Sequence, residues 1–326
     1  MRALVLDRPG TCDTLRLADL PTPEPGPGRV RVAVEACGLN PSDYQRAAYG
    51  IPEWEWPAVL GLDVVGIVDA VGEGVESVKV GQRVAFHGDI RARGGFAEYA
   101  LADATVLAPV PDGLVPESAA AVPSAGLTAY QAVVRRLNVG NDDCVLVTGG
   151  AGGVGGFAVQ LAALAGARVI ATEAAHNADH VKALGAEAVI DFRTEDITTR
   201  VRELTDGRGV DAVVDTIGSE SATANLGLLV HGGGLAAIAG RPELSVVPPF
   251  GMAPSVHEIA LGAAYTVGDG RARAQLSTIL TDLLTLLADK RIDPMLSRTV
   301  SLEDVPAALV ELSGRGVRGK IVYVRG

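Results

Sequence analysis

The period of the apolar positions changes along the chain, and the change divides it. Up to about residue 115, valine-rich runs such as 29–36, 64–71 and 83–86 are short and bounded by Pro and Gly, which predicts β-strands joined by tight turns. The segment PTPEPGPGRV sets four prolines around the start of the first run, a stiff surface connection. From Pro116 onward, ESAAAVPSAGLTAYQAVVRRL spaces its apolar residues as a helix does. Strands and helices then alternate: strand 144–148, helix 154–165, strand 168–172, helix 177–184, strand 188–190, helix 194–204, strand 212–215, helix 219–229 and strand 235–239. Such alternation predicts parallel strands joined by right-handed crossovers, a doubly wound α/β sheet. A further strand over 260–267 and a helix over 271–290 are expected to extend it. The tail, 294–326, returns to strand, helix and strand. A final strand needs a sheet edge for its backbone groups, so the tail is expected to rejoin the first domain.

One strand-to-helix junction carries chemistry. In CVLVTGGAGGVGGFAVQLAALAGARVIATE an apolar strand from Val145 runs into Gly150-x-Gly152-x-x-Gly155, a helix follows, and a second strand ends at Glu173. Gly152 and Gly153 let the backbone approach a pyrophosphate, Val154 opens the helix, and Gly155 lets helix and strand pack closely. The helix N-terminus favours the anion. The strand before, the helix after and the acid about 20 positions on supply the context of a nicotinamide dinucleotide site. Glu173 stands where an acid accepts hydrogen bonds from the adenosine ribose hydroxyls and repels a 2′-phosphate. That leans the cofactor toward NADH over NADPH, although His176 and Lys182 nearby can offset the charge.

At 326 residues the chain exceeds what one hydrophobic core sustains, so two domains are expected. A net charge of -11 argues against nucleic acid or an anionic membrane surface as the main partner. No apolar run is long enough for a membrane span, and MRALVLDRPG lacks the apolar block of a signal peptide, so a cytoplasmic protein is expected. Cys12, Cys37 and Cys144 are widely separated and read as buried thiols, without disulfide or zinc spacing. Of the histidines, 87, 180, 231 and 257 show no ligand spacing and receive no role.

The blocks ACGLNPSDY, PAVLGLDVVGIVDAVGEGV, GGFAEYA, AGLTAYQAV, TGGAGGVG, VVDTIG and VRGKIV occur in an order that spans nearly the whole chain. In this the sequence resembles the medium-chain dehydrogenase/reductase superfamily, on its zinc-free quinone oxidoreductase and enoyl reductase branch. The resemblance implies an α/β fold class: a β-rich GroES-like catalytic domain over 1–120 and 293–326, and a doubly wound Rossmann domain over 121–292. Where the zinc alcohol dehydrogenases of the superfamily carry their first cysteine ligand this chain has Asn40, and their Gly-His-Glu histidine is replaced by Leu62. No four-cysteine lobe lies between Phe86 and Gly94. No zinc is therefore expected, and hydride would pass to an acceptor that needs no Lewis acid, a quinone or an alkene conjugated to a carbonyl.

The resemblance further places Asn40 beside the nicotinamide, with Asp43 supporting its loop, and Thr128 on the nicotinamide side of the cofactor. Tyr44 and Tyr49 are candidates for the proton donor. Ile217, Gly218 and Gly240 end parallel strands where such sheets bind ligands, and Lys320 is a candidate phosphate or ribose contact. Phe250 and Met252, with Pro248, offer an apolar wall without a cationic anchor, so the substrate is expected to be small, apolar and electrophilic. Two alternatives stand beside this reductase: an enzyme dedicated to one enoyl or polyketide intermediate, and a dinucleotide-binding sensor or structural protein without turnover. A homodimer is expected through the apolar segment 261–267, were it an exposed sheet edge.

Overall fold

The computed structural model describes residues 1–326, and the chain divides into two compact units, 1–127 with 262–326, and 128–261. The first is β-rich. Its seven-stranded sheet runs in the order Leu296–Val300, Lys320–Val324, Arg29–Gly38, Asp63–Val71, Arg83–His87, Ala108–Pro109, with Tyr99–Asp103 also paired to Arg29–Gly38. A three-stranded sheet of Arg16–Asp19, Arg2–Leu6 and Ala58–Val59 completes it. The long strand Arg29–Gly38 alternates half-buried and buried residues over most of its length, the period-2 signature of a sheet with one face on the core. Val30, Val32 and Val34 supply that buried face. The tail strand Lys320–Val324 lies antiparallel to it, with Val322 opposite Gly38.

The second unit is a six-stranded, wholly parallel sheet in the order Ala188–Asp191, Arg168–Glu173, Cys144–Thr148, Val210–Asp215, Leu229–Ala237, Ser255–Glu258. Ile170, Leu146, Val213 and Leu235 stand in register across four strands and form one apolar cluster with Val201, Ala222 and Leu226 of the covering helices. Parallel strands covered by helices bury both faces, which is why Cys144–Thr148 is buried throughout and nearly all apolar.

Two expectations are corrected here. The segment 260–267 is not a strand: its centre is the short helix Ala263–Thr266, and the sixth strand is Ser255–Glu258. The apolar sheet edge on which a homodimer was expected is thus absent from 261–267. The helix Gly270–Ala288 does not extend the Rossmann unit either. Leu276, Ile279, Leu280, Leu283, Leu284 and Leu287 form a helical stripe that is buried in the first unit. Ser277 Oγ donates to Leu107 O at 2.6 Å, and Arg273 pairs with Asp103 at 3.1 Å. No helix is long and apolar enough to cross a membrane.

Candidate active site

In the Rossmann unit the strand Cys144–Thr148 ends in Gly149, whose φ of +68° turns the chain sharply, and the helix Gly153–Leu164 begins beyond Gly152. A Cβ on Gly155 would lie 2.0 Å from Gly149 O, so no side chain fits there. Gly152, at the helix cap, provides no side-chain acceptor, and the opening amides of the helix are left for an external anion. Glu173 closes the turn from the next strand: its carboxylate accepts Ala151 N at 2.9 Å, Ala174 N at 2.9 Å and Asn177 Nδ2 at 3.3 Å. A dinucleotide fits this turn, because the helix start offers uncapped amides to an anion and Gly155 leaves no side chain in the way.

The neighbouring strand ends are held rigidly. Asp215, 1% exposed, accepts Ile217 N at 3.0 Å and Gly218 N at 3.1 Å on one oxygen, and Ser221 Oγ and Asn225 Nδ2 on the other. Thr216 N donates to Thr148 Oγ1 at 2.9 Å, tying this loop to the strand that feeds the glycine turn. A Cβ on Gly240 would meet Ser219 N at 2.6 Å, so that glycine is required by close packing on the loop after Gly218. Thr128 is buried.

In the first unit a closed polar network surrounds Asn40, which begins the helix Pro41–Tyr49. Asp43 accepts Asn40 N at 2.8 Å and Gly61 N at 3.2 Å. Asn40 Nδ2 donates to Asp63 Oδ2 at 2.9 Å, while Asn40 Oδ1 accepts a short bond from Lys320 Nζ. Lys320 Nζ also donates to Leu39 O at 2.9 Å and lies 3.4 Å from Asp63 Oδ2. Ser124 donates to Asp63 Oδ1 from both its backbone N–H and its hydroxyl. Asn40, Asp43, Asp63 and Lys320 are all buried. Burial pushes the Asp43 carboxyl up to about 7, against the lowering effect of its backbone donors. His87 pairs with Asp63 across the antiparallel strands; burial holds its imidazole pKa down, and its Nδ1 has no partner.

The structure thus gathers Gly150, Gly152, Gly153, Val154, Gly155 and Glu173 at one turn, and puts Asn40 and Asp43 in one network. Lys320 is corrected: its ammonium, expected at a phosphate or ribose, is enclosed by Leu39 O, Asn40 and Asp63. Of the two tyrosines, Tyr44 is half-buried, whereas Tyr49 is 86% exposed at the helix end. The expected substrate wall does not form within its unit, since Phe250 is fully exposed and Met252 packs against the unit's own apolar cluster. Sequence reasoning missed Asp63, Ser124 and Asp215. The signal for both acids was an aspartate at one end of a valine-rich strand whose adjoining residues are buried. No three His, Cys, Asp or Glu side chains converge as a metal site, and all three cysteines are free and buried.

Comparison with known proteins fits this geometry. Residues 26–112 match the family described as alcohol dehydrogenase GroES-like domain, and residues 153–279 the family described as zinc-binding dehydrogenase. The native structure of a mycobacterial quinone oxidoreductase superimposes with a TM-score of 0.83 at 34% identity, over 100% of both chains. A phenolphthiocerol/phthiocerol polyketide synthase of Mycobacterium tuberculosis is 32% identical over 98% of this chain, which spans only 14% of that protein's length. A trans-enoyl reductase of Aspergillus flavipes is 36% identical over 61% of this chain and 62% of its own.

Proposed function

We propose, for a chain that belongs to the medium-chain dehydrogenase/reductase superfamily on its quinone oxidoreductase branch and is an oxidoreductase, a zinc-independent reduction of an apolar electrophile. Hydride would pass from NADH, or from NADPH, to a quinone or an α,β-unsaturated carbonyl. The observation that carries this is the glycine turn, where Gly155 admits no side chain and Glu173 bonds to Ala151 N. The bound dinucleotide supplies the hydride. The turn amides would hold its pyrophosphate and Glu173 its ribose, which favours NADH. Thr128, Ile217, Gly218 and Gly240 would border its nicotinamide half.

The proposal of a zinc-free reaction rests on residue chemistry. Asn40 and Leu62 occupy the positions of two zinc ligands in the superfamily's alcohol dehydrogenases, and neither an amide nor an alkyl side chain replaces thiolate or imidazole. The Asn40 amide is moreover already bonded to Lys320 and Asp63. Metal analysis of the purified protein tests this, and stoichiometric, tightly held zinc would overturn it. The names of the polyketide synthase and trans-enoyl reductase relatives support a second reading, a reductase for enoyl thioesters of a biosynthetic pathway. As an oxidoreductase, the chain is not assigned the alternative role of a sensor without turnover. We keep the cytoplasm as its proposed location.

Steady-state assays over quinones, enones and enoyl thioesters, with NADH and NADPH in parallel, distinguish these readings. Turnover of quinones and simple enones supports the first and turnover confined to thioesters the second. Binding of dinucleotide without oxidation of it by any acceptor would refute both.

A further inference from the structure

The Asn40 network contains a buried ion pair that the proposed chemistry leaves without a task. Lys320 and Asp63 are 4% and 0% exposed. Such pairs are weak stabilisers, since desolvation offsets their attraction and an apolar pair of similar volume serves the fold as well. This one is also fully committed. Lys320 Nζ meets Leu39 O, Asn40 Oδ1 and Asp63 Oδ2, while Asp63 receives Ser124 on one oxygen and Asn40 with Lys320 on the other. The topology delivers the charges from opposite sides: Asp63 pairs with Gly38 on one neighbouring strand, and Val322 with Gly38 on the other. Asn40 follows two residues beyond Gly38, between the two charges.

We infer that Lys320 and Asp63 are positioning residues that fix which end of the Asn40 amide donates and which accepts. With the ammonium on Oδ1 and the carboxylate on Nδ2, each contact is a charge-assisted hydrogen bond. Rotating the amide by half a turn would set its NH₂ against the ammonium and its oxygen against the carboxylate, two repulsive contacts in a buried site. Asn40 Nδ2 also donates to Gly38 O, at a long 3.4 Å, and the two shorter, charge-assisted contacts of the ion pair supply most of the preference between these orientations. Asn40 is therefore held in one orientation at the start of its helix.

Lys320→Met alone would leave the Asp63 charge buried and unpaired, and loss of fold would be uninformative, so the test uses Asp63→Asn/Lys320→Met in the full chain. The chain has five asparagines, so ¹⁵N-asparagine labelling gives a short spectrum in which Asn40→Ala identifies the Asn40 side-chain pair. We expect the double variant to melt within a few degrees of the wild type while the Asn40 NH₂ signals shift and exchange with solvent at least tenfold faster. Lys320→Arg, which keeps the cation, is expected to retain the slow exchange. Asn40 signals unchanged in position and rate in the folded double variant would overturn the inference. The kinetic arm rests on the proposed reductase function: kcat is expected to fall at least tenfold, with the acceptor KM within threefold. Unchanged kcat would deny the orientation its catalytic use and overturn the inference equally. A wild type inactive toward every acceptor would refute the proposed function, and the amide signals would still decide the positioning.

Discussion

Asp43 holds the backbone of Asn40 from three residues ahead, accepting its N–H at 2.8 Å with one carboxylate oxygen while the other accepts from Gly61. Burial raises this carboxyl from 3.8 to about 7. The folded state therefore keeps a proton that the unfolded chain has lost, and the linked stability falls as pH rises from about 4 to about 7 and levels off above. Thermal melts across that range should show this decline as a component that Asp43→Asn removes. The same variant turns one acceptor into a donor facing a backbone N–H, and should cost about 1–3 kcal/mol of stability. A pH profile identical in wild type and variant would refute the assignment.

Gly155→Ala should disable the dinucleotide turn. Its Cβ would lie 2.0 Å from the Gly149 oxygen, a backbone atom that cannot rotate aside, so the helix start must move. Overpacking of this kind costs typically about 1–3 kcal/mol, and the shifted amides should weaken NADH binding at least tenfold. Titration of NADH fluorescence together with a melting curve reads both effects. Undiminished affinity would mean the turn does not hold the cofactor.

The sequence reveals five of the six Rossmann strands because the core of each is a nearly unbroken apolar run, and the glycine turn marks where one ends; the sixth, Ser255–Glu258, is mostly polar and carries no such signal. It does not reveal what depends on distant partners. LGAAYTV is apolar enough for a strand or a short helix, and its period over seven residues cannot decide between them; the structure forms Ala263–Thr266 as a helix. The stripe on Gly270–Ala288 announces a helix but not its unit, which Leu107 and Asp103 determine from some 170 residues away. Lys320 reads as a free cation in the sequence because Asp63 lies 257 positions earlier in the chain. Its role becomes visible only when two strands bring both charges to the end of a third.

Glu173→Gln should relax the preference between cofactors. Repulsion between this carboxylate and a 2′-phosphate roughly 5 Å away is worth about 1–3 kcal/mol at surface-like dielectric. Removing the charge should therefore shift the ratio of kcat/KM for NADPH over NADH upward by about tenfold. The amide oxygen can still accept Ala151 N while its NH₂ faces the former donors Ala174 N and Asn177 Nδ2, so the turn should survive at a cost of about 1–3 kcal/mol. Parallel kinetics with both cofactors check this, and an unmoved ratio would place the discrimination elsewhere.

In the proposed reaction the proton that follows the hydride has two candidate phenols, which differ in exposure. Tyr49 is 86% exposed and therefore at full contact with water, so Tyr49→Phe should leave turnover within about twofold. Tyr44, on the same helix one residue after the buried Asp43, is half-buried, and a phenol shielded from bulk water can be aimed at a bound substrate. If it donates the proton, Tyr44→Phe should lower kcat by about 10²-fold, the lower end of what a positioned general acid contributes, with little change in the acceptor KM. A solvent deuterium isotope effect on kcat should change with it. If Tyr44→Phe and the double replacement both retain full turnover and isotope effect, neither phenol is the acid, and water reaching the reduced acceptor protonates it.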